Sequence, residues 1–355
     1  DPTNRWEERA SQPPDTQLGG SLTLDESKLS QILMEVAKER GMQPAQTEAI
    51  HNAVKRQCTV IQGPPGTGKT FTASCLIEVL LKLEDASMAE RQAEIGEEAW
   101  AKAKGKKKLF ACAHSNTATD NLMEKLLKLG VRVVRIGRAA TVSPGLRGHC
   151  LEALIEQDPG VKRVRRDVLL VGPNQVAGVS LKQDLYKQRA KATASLLKKA
   201  DVVISSLIGS GHEQLQEIWN SEDITFHTVI VDEASQAVEP STLIPIVRGC
   251  ERLVMVGDQC QLPPTVTNHE ARTNGFAKSL FVRLVDQGLK PQVLNVQFRM
   301  HPLIAAFPSI RFYEGRLVSD PRPQDRPPVP GFPWPQPLNP LAFVHCRQNM
   351  VVGDE

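Results

Sequence analysis

The chain has 355 residues, with 43 lysines and arginines against 40 aspartates and glutamates, a formal net charge of +3. That balance does not announce a nucleic-acid coat, so any basic surface must be local. Seven cysteines at positions 58, 75, 112, 150, 250, 260 and 346 form no C-x-x-C pair, which argues against a disulfide framework or a zinc site and for a reducing compartment. No apolar run approaches the roughly 18 residues of a membrane span.

Residues 1–20 are polar, with Pro13-Pro14 and Gly19-Gly20, and read as a mobile lead-in. Leu29, Ile32, Leu33 and Val36 recur at helical spacing and predict a helix over Ser27–Arg40. Together these make 1–40 a lead-in and stalk. From Cys58 onward, short apolar runs alternate with amphipathic stretches. The predicted strands are Thr59–Ile61, Leu109–Ala113, Val131–Ile136, Val202–Ser205, Val229–Asp232, Leu253–Gly257 and Val293–Val296. Continuous β-branched runs separated by helices predict an α/β fold with a parallel sheet covered on both faces.

Between the first strand and its helix lies Gly63-Pro64-Pro65-Gly66-Thr67-Gly68-Lys69-Thr70, the G-x-x-x-x-G-K-T pattern of a phosphate loop. Its glycines let backbone N–H groups turn inward around phosphates, and the following helix N-terminus adds positive potential. Lys69 is expected to reach the β- and γ-phosphates, and Thr70 to offer a hydroxyl to magnesium. The pattern points to a nucleoside triphosphate with Mg2+ as its bound pair.

Two segments interrupt the alternation. Residues 84–108 begin acidic and end basic, and read as a surface insertion in preference to a phosphate-binding arm. Residues 140–199 carry Lys162, Arg163, Arg165, Arg166, Lys182, Lys187, Arg189, Lys191, Lys198 and Lys199. So long an interruption predicts a small helical subdomain on the rim of the sheet. Solvated charge and nucleic-acid contact explain its lysines equally well. The proline-rich region 319–340 is expected to lack regular structure.

Val229-Ile230-Val231-Asp232-Glu233-Ala234-Ser235-Gln236 supplies the acids that a phosphate loop needs for hydrolysis. Asp232 is placed to complete the metal site and Glu233 to polarise water. Gln261 follows the strand Leu253–Val256, at an end that faces the ligand crevice in this architecture. It is expected on the γ-phosphate or the attacking water. Arg299, in Gln297-Phe298-Arg299-Met300-His301-Pro302, is placed to stabilise charge on the transferring phosphoryl group, against the plainer reading of a surface ion pair.

These runs, in this order, resemble the superfamily-one helicases, specifically the Upf-like group that includes senataxin-type enzymes. The resemblance extends from about Met42 to Phe343 and implies a RecA-like P-loop fold. It implies that Gln46 reads adenine and that Phe298, where the family usually has tyrosine, stacks on the base. It also implies that Ser115 and Asn116, in Cys112-Ala113-His114-Ser115-Asn116-Thr117-Ala118-Thr119-Asp120-Asn121-Leu122, grip a nucleic-acid backbone, as does Ser206. Gln259 departs from the family's common histidine. Phe312-Tyr313-Glu314-Gly315, Gly331-Phe332 and Trp334-Pro335-Gln336-Pro337 resemble the nonsense-mediated-decay branch more than its DNA-acting relatives.

The implied organisation is a first RecA-like domain over 41–296 and the start of a second over 297–355, in a chain that reads as a fragment from Asp1 to Glu355. The implied activity is ATP-driven remodelling or unwinding of single-stranded RNA by a monomer, with partners of an RNA-surveillance type, no membrane, and cytoplasmic residence ahead of nuclear. Two alternatives stay open: an ATP-gated RNA clamp or scaffold without unwinding, and a DNA helicase of the same superfamily.

Overall fold

The computed structural model describes residues 25–100, 108–171, 176–212, 215, 226–247, 249–337 and 339–345. Most of the expected lead-in and Lys102, Lys104, Lys106 and Lys107 lie outside the described residues. The chain forms two compact units. The first runs to Gly63 and from Lys69 to Leu294; the second comprises Pro64–Gly68 and everything from Asn295 onward.

In the first unit, α1 (Glu26–Arg40) starts where the Asp25 carboxylate accepts from the Ser27 N–H at 2.9 Å and stops at Gly41 in the left-handed region, φ 64°. It buries Leu29, Leu33 and Val36. Next come α2 (Pro44–Lys55), β1 (Cys58–Gln62) and α3 (Lys69–Trp100). Arg40 grips Glu78 of α3 through two bonds, at 3.0 and 2.8 Å. After these come β2 (Lys108–Ala113), α4 (Asn116–Lys128), β3 (Val133–Arg135), α5 (Leu151–Gln157), α6 (Pro159–Val171) and α7 (Val176–Lys199). The unit closes with β4 (Val202–Ser206), β5 (Phe226–Asp232), α8 (Glu239–Ile246), β6 (Arg252–Gly257), α9 (Leu280–Asp286) and β7 (Gln292–Val293).

Among the described residues of the first unit the strands make a seven-stranded sheet in the order β3-β4-β2-β5-β6-β1-β7. Every pairing is parallel. Alternate strand residues feed two separate cores. Ile61, Ala111, Ile230 and Val254 join the helices α1 to α4; Val60, Phe110, Val229, Val231 and Met255 join α5 to α7 and α9. That double burial is why these strands read as unbroken apolar runs. It is the RecA-like P-loop architecture. No helix of the described residues is long and apolar enough to cross a membrane.

Three expectations are refined. Residues 84–100, expected as a surface insertion, are helical and prolong the helix that begins at Lys69. Lys108 is not a surface cation: it opens β2, buried, and its ammonium donates to the carbonyls of Lys198 and Ala200 at 2.6 and 2.5 Å. The 140–199 segment is helical, yet Leu151, Ile155, Val161 and Leu197 share the core of Phe110 and Val203.

The predicted strand Val293–Val296 is two strands. Val293 pairs with β1, and the Leu294 N–H donates to Gln62 O at 2.8 Å. Two residues on, β8 (Val296–Gln297) pairs instead with β9 (Val318–Ser319) of the second unit. Exposed Asn295 marks the change of partner, a single polar residue between Leu294 and Val296 that the strand prediction read through. Between them in the chain runs α10 (Pro302–Phe312).

Candidate functional site

Parallel pairing sets the carboxyl ends of β1, β2, β4, β5 and β6 on one rim. Gln62 is in register with Gly257, and Ala113 with both Ser206 and Asp232. Lys69, the first residue of α3, donates from its ammonium to the Gly63 carbonyl at 3.0 Å. The Thr70 hydroxyl is hydrogen-bonded to the Asp232 carboxylate, and the Lys69 charge also bears on that carboxylate. The structure therefore brings Lys69 and Thr70 together with the acids that end β5.

Asp232 is 1% exposed. Its Oδ1 accepts the Glu233 N–H at 3.0 Å, while its Oδ2 is buried with no hydrogen-bond partner. Burial away from water, then the charge of Glu233, push Asp232 up to about 6, against the Thr70 hydrogen bond, the Glu233 N–H and Lys69. Glu233 adopts φ 52°, ψ 38°, a left-handed conformation that a side chain with a Cβ disfavours. Gln236 donates to its Oε2 at 3.3 Å. The strained turn reverses the chain directly after the strand, so adjacent carboxylates are held in different settings, one buried and one half-buried.

The end of β6 docks against this turn. The Asp258 N–H donates to Ser235 Oγ at 3.0 Å, and a Cβ at Gly257 would lie 2.9 Å from Ser235 N and 3.1 Å from Ser235 Oγ. Gly257→Ala is expected to destabilise the fold by about 1–3 kcal/mol through overpacking, read from the urea midpoint. Asp258 is 1% exposed and accepts from Gln62, Cys260 and Gln261. Gln261, expected on a phosphate or water, donates from its Nε2 to Asp258 Oδ2 at 2.6 Å and to Gly63 O at 3.4 Å, tethering it to the first residue of the phosphate loop.

In the second unit, Pro64, Pro65, Gly66, Thr67 and Gly68 form the tip of that loop. Thr67 Oγ1 donates to Pro64 O at 2.8 Å. Gly66 and Gly68 take φ of 81° and 83°. The Phe298 N–H donates to Gly66 O at 2.9 Å, and a Cβ on Gly66 would stand 2.7 Å from the Arg299 Cβ. Glycine is thus required there by both conformation and space. Gln297, fully buried, holds the turn: its Oε1 accepts the Arg299 and Met300 N–H groups at 2.9 and 2.7 Å, and its Nε2 donates to Met300 O and Ser319 Oγ. Arg326 donates to the carbonyls of Phe298 and Arg299. Phe298 is half-buried and Arg299 exposed.

Gln46 sits in the first turn of α2, where its Oε1 accepts the Gln43 N–H at 3.0 Å and caps the helix. Ser115 is the N-cap of α4, accepting the Ala118 N–H at 3.1 Å. Asn116 follows it, exposed, its Oδ1 accepting from Arg135 at 3.0 Å. Ser206 ends β4 and accepts the Gly209 N–H at 3.2 Å. The register between Ala113 and Ser206 sets these polar groups on neighbouring strand ends. Sequence reasoning assigned no role to Gln297, Ser235, Asp258, Asp120 or Arg135. Two arginines interrupt the apolar run Val131–Ile136; Arg132 is exposed, and Arg135, flanked by Val134 and Ile136, was the available signal, since a buried strand tolerates arginine only with partners.

Two AAA-domain family profiles match, one over residues 41–168 and 175–269, the other over 276–354. The "Regulator of nonsense transcripts 1 homolog" of Drosophila melanogaster is 34% identical over 87% of this chain and 24% of its own length. The "ATP-dependent helicase NAM7" of Saccharomyces cerevisiae is 34% identical over 84% of the chain and 28% of its own, and the yeast "Helicase SEN1" 31% over 81% and 16%. The chain spans between about a sixth and about a quarter of the length of these relatives. On these matches the chain belongs to the AAA-domain family, within the Upf-like branch of the superfamily-one helicases.

Proposed function

We propose that the chain is the ATP-hydrolysing motor part of a helicase or ribonucleoprotein remodeller that acts on single-stranded RNA. One observation carries the reading: the phosphate-loop residues Lys69 and Thr70 meet the buried Asp232 at the carboxyl end of a central strand. The names of the relatives support ATP-dependent helicase action, and the regulators of nonsense transcripts support RNA as the track.

The chain's residues divide the chemistry as follows. The inward-turned backbone of Gly63–Gly68 and the Lys69 ammonium bind the triphosphate. Glu233 orients water for attack and accepts its proton. Arg299 stabilises charge gathering on the γ-phosphoryl oxygens. Gln261 links the phosphate loop to Asp258, and through Asp258 to Ser235. Gln46 and Phe298 hold the base. The unpartnered Asp232 Oδ2 beside the Thr70 hydroxyl fits a hard divalent cation that takes few protein ligands. Thr70 and Asp232 would hold Mg2+ there, which supplies charge neutralisation on the phosphate oxygens.

Ser115, Asn116 and Ser206 contact the phosphate–sugar chain, so binding is salt-sensitive and weakly sequence-selective. An RNA-surveillance role of this kind would be exercised in the cytoplasm. The test measures ATP hydrolysis by the full-length protein with no nucleic acid, with a uridine oligonucleotide and with its deoxy counterpart. RNA stimulation is expected. Equal or stronger stimulation by DNA overturns the choice of RNA, and the absence of any stimulation overturns the motor.

A further inference from the structure

Arg135 lies in β3, an edge strand of the sheet, and is 1% exposed. A guanidinium does not shed its charge, so its burial requires partners. Nη1 donates to Ile136 O at 2.7 Å, Nη2 donates to Asn116 Oδ1 at 3.0 Å, and Nε faces Asp120 Oδ1 at 3.5 Å. The other Asp120 oxygen accepts both the N–H and the hydroxyl of Ser143 at 2.9 Å. Burial lowers the pKa of Arg135 and the charge of Asp120 opposes that shift. One buried network thus joins the start of α4, its first turns, the edge strand and the segment that leads into the inserted helices.

The consequence concerns Asn116. Arginine is donor-only, so the Asn116 amide must turn its oxygen inward. Its NH2 edge is then directed away from Arg135, at an exposed helix start beside the Ser115 hydroxyl. A phosphodiester presents oxygen acceptors, and a pair of outward N–H donors matches it.

Resting on the nucleic-acid reading above, we infer that Arg135 is a positioning residue: it fixes the Asn116 amide with the donor edge outward, and through Asp120 and Ser143 it ties that orientation to the inserted helices. Arg135 touches no nucleic acid itself. A purely architectural arginine would staple α4 to β3 without regard to which edge of Asn116 faces out.

The two roles separate in Asn116→Asp, which keeps an oxygen for Arg135 but turns an anionic acceptor outward. Binding of a labelled uridine oligonucleotide to the full chain is measured by fluorescence anisotropy, with thermal midpoints alongside. Asn116→Asp is expected to weaken binding by about tenfold or more, at least as much as Asn116→Ala, with an unchanged or higher midpoint. Arg135→Lys, which loses the planar fork, is expected to weaken binding by a similar factor. The double variant Arg135→Lys with Asn116→Ala should bind no worse than Asn116→Ala alone.

Hydrogen exchange without RNA gives the second arm, in which Arg135→Lys should raise exchange across residues 114–118. Wild-type affinity in Asn116→Asp, additive losses in the double variant, or unaltered exchange in Arg135→Lys each overturns the inference. Should the wild-type chain bind no RNA, the motor reading fails on its own, and the exchange arm still decides what Arg135 holds.

Discussion

Replacing Lys69 by alanine is expected to lower RNA-stimulated ATP hydrolysis by about 100- to 1,000-fold while leaving the fold standing, a loss of about 3–4 kcal/mol of transition-state stabilisation. Lys69 is the cation at the junction of the phosphate loop and α3, donating to Gly63 O and acting on Asp232. Without it the loop retains its backbone donors but no mobile positive charge follows the electrons that collect on the β–γ bridge. The structural loss is one half-buried hydrogen bond, worth about 0.5–1.5 kcal/mol. The urea midpoint should therefore move little while the rate collapses. Lys69→Arg should not rescue, because a planar fork does not replace a compact ammonium in a loop this tight. A coupled hydrolysis assay with saturating uridine oligonucleotide checks the rate. A variant within a few-fold of wild type would remove the phosphate loop from the mechanism.

What the sequence disclosed, and what it withheld, follows from the range of the forces involved. The strands were legible because burial on both faces demands apolar residues at every position, as in Val229-Ile230-Val231. Lys69, Thr70, Asp232 and Glu233 were legible because they stand at fixed offsets from those strands. Loop, helix start and strand end are local features, and parallel register then carries them to one rim. Gln261 was placed from its strand end, but its protein partners were not legible: its amide donates to Asp258 three residues away and to Gly63, a contact that crosses 198 residues of chain.

The break at Asn295 was missed because one polar residue between Leu294 and Val296 does not by itself end a strand, and the two short strands differ in their partners. Gln297 was hidden for another reason. Its four hydrogen bonds all serve backbone or hydroxyl groups of its own turn and of β9, which no spacing rule encodes. The Arg135 network joins positions 116, 120, 135 and 143 through a strand edge that had to be built before its polar atoms met.

Glu233→Gln is expected to reduce the maximal rate of hydrolysis by about 100- to 10,000-fold with nucleotide binding retained, because the amide keeps the shape of the side chain and loses its basicity. The electrostatics of its neighbour give an independent readout. Asp232 lies above the ordinary carboxylate range, at about 6, first through burial and then through the charge of Glu233. A carboxyl group whose folded pKa exceeds its unfolded value holds its proton longer in the native state. Stability is then full below the unfolded pKa near 4 and falls as pH rises from there through about 6. Glu233→Gln removes the second of the two causes, so the metal-free variant should lose less stability than wild type between pH 4 and pH 7.

Backbone strain supplies a third readout at the same residue. Glu233 holds φ 52° with a Cβ, and asparagine accepts that conformation more readily. Glu233→Asn should match or exceed wild-type stability, by up to about 1 kcal/mol, and still be inactive. A residue whose replacement strengthens the fold and stops hydrolysis is one the turn retains for chemistry. If Glu233→Asn were markedly less stable than wild type, the turn would be serving the fold, and the assignment of Glu233 as the base would lose its structural ground.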